Sequence, residues 1–285
     1  MVMGRALARV AGCLRVSAAA GVGTLLTLAA ACGQAQACRA PAVEVEAGSE
    51  RSRWSEYDAT GRRLVREVGN LQTAGMGLSA DCGGWRWQGR WLHAQGQRGY
   101  DGASNNGMAL RSTSRIRREE ARLQAWWSLD AANELGLEAS LTQLHRDIAG
   151  AGGILGYPER FSAWRAGLGG RHAWFAMGGT DVAVEAWLGA GPAGHVDVAL
   201  PGLDPARLRL GTSVSARVAL SVSSAGAAPD AAGWQWRMRL ALQQDRTGVG
   251  RPQPIYREGA IYGGAVQPRF EQASAAISAA VLYRF

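Results

Sequence analysis

The sequence predicts a transmembrane antiparallel β-barrel of about ten strands, with both termini in the periplasm. The first observation is residues 207–223, where apolar and polar residues alternate with almost no exception. This period of two is typical of an extended strand, because successive side chains point to opposite faces. Ordinary strands have about six residues, whereas a tilted strand needs about nine to eleven to cross a bilayer. An apolar face towards lipid and a polar face towards a lumen is typical of a membrane barrel.

The connecting segments are the second observation, because short and longer ones alternate along the chain. We place ten alternating segments at residues 43–54, 71–80, 85–91, 121–129, 135–141, 164–171, 182–188, 207–223, 234–243 and 273–285. The connections after the second, fourth and sixth segments are short, and the one after the eighth is intermediate. Bacterial barrels have an even number of strands, short periplasmic turns and long extracellular loops. This order predicts ten strands and periplasmic termini.

The end of the chain and its aromatic residues are the third observation. The chain stops on Phe285, and the last strand carries Ile277, Ala279, Val281 and Tyr283 on the same face as that residue. This ending resembles the C-terminal assembly signal of outer-membrane barrels, which implies the barrel assembly machinery and outer-membrane lipid as partners. Six aromatic residues fall near the predicted periplasmic strand ends, where an aromatic girdle is expected: Trp85, Trp87, Trp127, Trp174, Trp234 and Tyr283.

The N-terminal segment reads as a secretory signal peptide over residues 1–37, followed by the barrel over residues 38–285. It has three early arginines, an apolar run over residues 16–31 and a small-x-small cleavage site over residues 35–37. An alternative is lipidation at Cys32, because residues 29–32 loosely resemble a lipobox. After cleavage, no apolar stretch of helical membrane-spanning length remains. We therefore expect an exported protein of the outer membrane.

The formal net charge of +8 comes from arginine, since the chain contains no lysine. Export argues against nucleic acid as the partner of this charge. Arginine forks bind phosphate well, so lipopolysaccharide phosphates are the partner we expect. The alternative is a solvated rim. The arginines concerned lie in or near the first two predicted extracellular loops: Arg51, Arg53, Arg62, Arg63, Arg66, Arg111, Arg115, Arg117 and Arg118.

Two cysteines remain after cleavage, Cys38 and Cys82. The predicted topology places both on the periplasmic side, one before the first strand and one in the turn after the second. Because the periplasm is oxidising, we predict a Cys38–Cys82 disulfide. The alternative is a pair of free thiols.

The predicted inward faces carry many charges, which in a narrow lumen must pair or be hydrated. We favour a closed interior filled by a charge network over an anion-selective pore, because open water channels belong to larger barrels. The residues concerned are Arg86, Arg90, Glu120, Arg122, Glu138, Arg165, Arg171, Glu185, Arg209, Arg217, Arg237 and Arg239.

The chain resembles the omptin family of outer-membrane endopeptidases. The resemblance lies in its ten strands, in residues 104–141 and in the closing strand 279–285. The resemblance implies an extracellular groove with an Asp-x-Asp pair facing an Asp-x-His pair, which deprotonate a water. The matching loops of this chain hold Asp101 and, in reversed order, His195 and Asp197. These residues are the candidate catalytic groups, and basic peptides the implied substrates.

The alternative is structural: Asp101 forms an Asx-turn, and His195 and Asp197 are solvated. No metal-ligand cluster or cofactor motif is visible. We therefore expect an omptin-like barrel that is non-catalytic or contacts lipopolysaccharide, with a divergent endopeptidase and a small channel as alternatives.

Overall fold

The structure, a computed structural model, describes residues 38–103, 109–176, 179–224 and 232–285. The predicted signal peptide and Cys32 lie outside these residues. The described strands, in chain order, are β1 (Arg39–Tyr57), β2 (Arg63–Cys82), β3 (Trp85–Ala103), β4 (Ala109–Ser128), β5 (Asn133–Ile148), β6 (Tyr157–Ala176), β7 (Thr180–Gly191), β8 (His195–Val198), β9 (Ala206–Arg209), β10 (Ser213–Ser224), β11 (Gly233–Thr247), β12 (Gln253–Arg257), β13 (Ala260–Ala265) and β14 (Arg269–Arg284).

In the described part of the chain, ten long antiparallel strands close into a barrel. Their order around the wall is β1 to β7, then β10, β11 and β14, and β14 pairs again with β1. The predicted all-β, ten-stranded architecture is confirmed. Strands β8 and β9 extend the wall beside β6, and β12 and β13 form a separate hairpin. No helix among the described residues is long and apolar enough to span a membrane.

The two ends of the barrel differ in their connections. The terminal end, as we call it, holds Cys38, Phe285 and the turns at 83–84 and 129–132. The loop end holds the connections at 58–62, 149–156, 192–212 and 248–268. At the terminal end, a disulfide joins Cys38 to Cys82, as predicted, with the two Cα atoms 4.2 Å apart. The periplasmic position of the terminal end remains a prediction.

An apolar belt encircles the outside of the half of the barrel nearest the terminal end. Its side chains point outward and are largely exposed, as Leu188 at 71% and Trp234 at 74% illustrate. Such a surface is stable in lipid, so this belt is the membrane-spanning section of the wall. The outward residues of the belt include Val45, Met76, Leu78, Leu123, Leu137, Leu141, Trp164, Leu168, Val218, Leu220, Leu240, Leu242, Ile277 and Val281.

Towards the loop end the pattern inverts, with apolar side chains inside and polar side chains outside. Trp54 stacks on Phe270 with ring centroids 4.2 Å apart, and Phe161 packs against both rings. Further buried apolar residues complete this core: Leu71, Ala94, Ile116, Leu144, Val196, Val198, Leu208 and Leu210. The half of the barrel beyond the belt is therefore built like a water-soluble protein.

The segment predicted as one strand over residues 207–223 is broken. Its first part is β9, and residues 210–212 separate it from β10. The break moves the apolar face from inside to outside, because Leu208 and Leu210 are buried in the core whereas Val214 and Val218 face outward. At Gly211 a Cβ atom would lie 2.5 Å from the carbonyl carbon of Gly248, so the close backbone contact at the break requires glycine.

The strands also extend further than the sequence predicted. A polar loop over residues 55–69 was expected after the first strand, but only residues 58–62 form the turn. Asp58 closes this turn by accepting hydrogen bonds from the backbone N–H groups of Thr60 and Arg62, both at 2.9 Å. The predicted loop at 191–205 contains β8, and the proline-rich connection before the last strand contains the β12–β13 hairpin. The extensions of β1 and β2 and the strand β8 carry polar residues outward and so lack the lipid-facing pattern, whereas the β12–β13 hairpin exposes Ile261 and Tyr262.

Candidate functional site

A row of basic side chains lies on the outer wall beyond the apolar belt. In the sheet register, Arg117 on β4 is the neighbour of His145 on β5, which is the neighbour of Arg160 on β6. We call these three residues the basic row. Along β5 and β6 it is four residues beyond Leu141 and Trp164, the last outward residues of the belt. At about 3.3 Å per residue, the row is therefore about 13 Å beyond the apolar surface.

The two arginines of the basic row have no carboxylate within 4.0 Å among the described residues. Asp197 is the register neighbour of Arg160. Its carboxylate instead accepts a 2.6 Å hydrogen bond from Nε of Arg207. Partial burial and the nearby Arg160 and Arg117 hold the pKa of His145 below its ordinary value. The row therefore presents two unpaired guanidinium groups on either side of an imidazole that is neutral at pH 7.

The other outward arginines fall largely where the sequence placed them. The prediction was wrong for Arg118, which points inward and donates two hydrogen bonds to Glu50 at 2.9 and 2.6 Å. It was also wrong for Arg209, predicted to face the lumen, because β9 turns that side chain outward. The exposed arginines are Arg51, Arg53, Arg62, Arg63, Arg66, Arg111, Arg115 and Arg117.

The three candidate catalytic residues occupy two separate places on the wall. His195 and Asp197 lie together on β8, with Nε2 and Oδ2 3.9 Å apart. Both are on the side of β8 opposite the buried Val196 and Val198. Hydrogen bonds from Arg207 hold the pKa of Asp197 below its ordinary value, so this carboxylate is ionised and already bound.

Asp101 lies on the outward face of β3, with Arg66 and Arg111 as register neighbours. When paired residues are followed from strand to strand, Asp197 on β8 lies level with Gln95 on β3. Asp101 is six residues further along that strand, which corresponds to about 20 Å. The structure brings His195 and Asp197 together but keeps Asp101 apart from them.

The lumen is crossed by ion pairs, and the residues predicted to face it do so with the exception of Arg209. At the level of the belt, Arg217 pairs with Glu138, and Arg239 with Glu185 at 3.0 Å. Glu134 accepts hydrogen bonds from both Arg86 and Arg171, each at 2.8 Å. The other pairs at this level are Arg90 with Glu46, Arg122 with Glu120, Arg165 with Asp245, and Arg237 with Glu44.

A second cluster, nearer the loop end, was not predicted from the sequence. Arg146 donates to three carboxylates, at 2.9 Å to Glu67, 2.6 Å to Glu56 and 2.8 Å to Glu159. The buried Arg98 lies 3.8 Å from Glu67. These residues sit in segments that read as polar loops, and only the strand register brings them together. Across the described residues, no group of three or more His, Cys, Asp or Glu side chains is arranged to hold a metal ion.

Comparison with known proteins gives the same architecture. No family profile and no curated sequence matches the chain. Among solved structures, the outer-membrane protease OmpT from Escherichia coli matches with a TM-score of 0.51 and 13% identity, over 86% of this chain and 97% of that one. The protein is an outer-membrane β-barrel. Its architecture resembles that of an omptin, as the sequence predicted, and at this identity the likeness shows the fold alone.

Other outer-membrane barrels match less well. The translocator domain of the autotransporter NalP from Neisseria meningitidis has a TM-score of 0.47 and 11% identity, over 85% of this chain and 88% of that one. The β domain of the Bordetella autotransporter BrkA has a TM-score of 0.45 and 15% identity, over 86% of this chain and 100% of that one.

Proposed function

We propose that this protein is a non-catalytic outer-membrane barrel that binds lipopolysaccharide through the basic row on its outer wall. The observation that carries the proposal is the pair of unpaired guanidinium groups, Arg117 and Arg160, held two strands apart beyond the apolar belt. Adjacent strands are about 4.8 Å apart, so the two arginines start about 10 Å from each other. A phosphate group can be reached from both sides by these long side chains.

The height of the row suits a phosphate on the headgroup of a lipid. Acyl chains pack against the belt residues Leu141 and Trp164, and the basic row is about 13 Å further along the tilted strands, or about 10 Å higher. The headgroup layer is about 5–8 Å thick, so the two arginine side chains must extend towards the belt to bind its phosphates. Guanidinium groups bind phosphate with two parallel hydrogen bonds, which ammonium groups cannot do.

The experiment compares lipid A carrying its phosphates with the same lipid after phosphate removal, using native mass spectrometry of the protein in detergent. We expect the Arg117→Gln/Arg160→Gln variant to bind phosphorylated lipid A about 10- to 100-fold more weakly, because each charge-assisted hydrogen bond contributes about 1 kcal/mol or more. Binding of the dephosphorylated lipid should not change.

The matched control is Arg51→Gln/Arg53→Gln, which removes the same charge from exposed positions on β1. It should retain binding. An equal loss in both variants would mean that total charge, and not the basic row, determines lipid binding. Equal binding of both lipids by the unmodified protein would refute the proposal directly.

A divergent endopeptidase is the second candidate function, favoured by the 3.9 Å approach of His195 to Asp197 on an accessible strand. An imidazole beside a carboxylate is the arrangement that activates a water in acid–base hydrolysis. Cleavage of basic peptides that is lost in His195→Ala would support it.

A further inference from the structure

A small cavity lies in the lumen at the level of the apolar belt. It has a volume of about 20 Å³ and lies between β3 and β4 on one side and β7, β10 and β11 on the other. About 10–15 Å³ suffices for one water molecule, so the cavity has room for a particle of the size of a water or a halide ion.

The lining of this cavity is strongly basic. Four arginines and one glutamate line it, together with two glutamines and a serine. The charged residues are Arg90, Arg122, Arg237, Arg239 and Glu185. The other carboxylates that pair with these arginines, such as Glu44 and Glu46, do not line the cavity. The lining therefore holds four cationic side chains and one anionic side chain, and each of the four arginines also pairs with a carboxylate.

One buried N–H donor that lines this cavity has no acceptor, the Nε–H of Arg239. Among the described residues, the unpartnered N–H donors of Arg165, Trp187 and Arg217 belong to residues that line a second cavity. Arg239 lines the first cavity, and it donates to Glu185 through Nη2 at 3.0 Å while its Nε–H has no acceptor. A buried donor left in this way destabilises the fold, so an acceptor in the cavity would be favourable.

An anion fits this environment better than a water molecule. A water molecule that accepts a hydrogen bond from Arg239 must also donate its own two hydrogens to acceptors, whereas an anion only accepts hydrogen bonds. We propose that the cavity is a binding site for one halide-sized inorganic anion, chloride in a natural setting. The proposal is independent of lipid binding on the outer wall.

A second cavity nearby offers an internal comparison. It has a volume of about 10 Å³, and both Glu120 and Glu138 line it together with Arg165 and Arg217. Three unpartnered N–H donors line this cavity too, but so do two carboxylates, which repel an anion, and we therefore expect no halide in it.

The direct test uses bromide in place of chloride. Crystals of the unmodified protein grown in sodium bromide should show an anomalous peak at the bromine edge in the cavity beside Arg239 and none in the cavity beside Glu138. No peak beside Arg239, or equal peaks in both cavities, would overturn the proposal.

A solution test separates specific binding from screening. At constant ionic strength, chloride is varied against gluconate, which is too large for the cavity, and the heat-denaturation midpoint is read from gel mobility. We expect the midpoint of the unmodified protein to rise with the logarithm of chloride concentration once the site's dissociation constant is exceeded.

The matched variants each remove one whole ion pair and so keep the charge balance. Glu185→Gln/Arg239→Gln should lose the chloride response, whereas Glu138→Gln/Arg217→Gln, in the second cavity, should keep it. The same response in both variants would mean non-specific screening and would overturn the proposal. Should a variant fail to fold, the bromide experiment on the unmodified protein still decides.

Discussion

Arg122 on β4 donates a 3.2 Å hydrogen bond to Gln243 on β11, which stands on the opposite wall of the barrel. Five steps around the ten-stranded wall separate the two strands in either direction. Side chains from opposite walls therefore meet at the middle of the lumen. Arg217 with Glu138 and Arg165 with Asp245 each bridge three steps of the same circle.

The first prediction follows from these contacts: the folded protein does not conduct ions. A lumen whose opposite walls touch leaves no continuous water path, in contrast to barrels of about 16–18 strands. We expect silent recordings in planar bilayers at voltages where a porin, reconstituted by the same procedure, shows steps. Conductance steps that disappear when the protein is heat-denatured before reconstitution would contradict the filled lumen.

The sequence predicted the part of the barrel that lies in lipid, because there each strand alternates between an apolar and a polar face. On β10, for example, Val214 and Val218 face outward and Arg217 faces inward. The same alternation gave the ten strands, the aromatic residues near the terminal end and most of the inward charges.

Beyond the belt the pattern no longer identifies a face. Arg117 and Arg118 are adjacent in sequence and were assigned to one outer rim, yet one is in the basic row and the other is buried against Glu50. The neighbours in the basic row come from three strands, and no spacing in the sequence indicates that they meet. These contacts depend on the register and length of the strands beyond the belt. That part of the strands packs around Trp54 and Phe270.

The second prediction concerns the buried pair of Glu50 and Arg118, whose side chains are 4% and 9% exposed. Glu50→Leu alone should lower the free energy of unfolding by about 3–5 kcal/mol, because it leaves a buried guanidinium without its partner. Glu50→Leu/Arg118→Met should recover much of that loss. Urea unfolding in detergent, followed by tryptophan fluorescence, measures both.

The control for this pair is Arg62→Ala, which breaks the exposed pair of Arg62 and Asp58. Exposed pairs contribute about 0–1 kcal/mol, so the midpoint should hardly move. A loss for Glu50→Leu as small as that of the control would show that water reaches the buried pair.

The third prediction concerns Gly169 on β6, which lies beneath the ring of Trp187. A Cβ atom at this position would be 2.4 Å from the indole, and the ring is fixed by edge-on contact with Trp126 at 4.6 Å. Gly169→Ala should therefore destabilise the barrel by about 1–3 kcal/mol through overpacking. Gly169→Ala/Trp187→Leu should restore part of the loss, and unfolding of both variants in urea gives the comparison. Equal stability of Gly169→Ala and the unmodified protein would mean that Trp187 can move.

The fourth prediction is a pH dependence of lipid binding. His145 lies beyond the membrane-spanning belt, and its lowered pKa keeps it neutral at pH 7. As the pH falls through that pKa, the imidazole gains a proton and adds a third positive charge between Arg117 and Arg160. We expect phosphorylated lipid A to bind more tightly at about pH 5.5 than at about pH 7.5, relative to His145→Asn.

In the absence of lipid, protonation of His145 lowers the stability of the folded protein. A histidine with a lowered folded-state pKa binds protons less readily than in the unfolded chain, so stability falls as the pH drops below the ordinary value. Parallel pH profiles of lipid binding in the unmodified protein and His145→Asn would show that another group titrates.

The fifth prediction concerns catalysis. We expect no cleavage of basic peptides by the unmodified protein, because Arg207 already binds the carboxylate of Asp197, and Asp101 is four strands away and about 20 Å further along the strand direction. His195→Ala and Arg207→Ala serve as a matched pair: the first removes the only imidazole of this group, and the second frees its carboxylate. Cleavage by a correctly folded, heat-modifiable protein that is abolished by His195→Ala would establish an enzyme. An increase in that cleavage in Arg207→Ala would then identify Arg207 as the residue that holds Asp197 away from the reacting water.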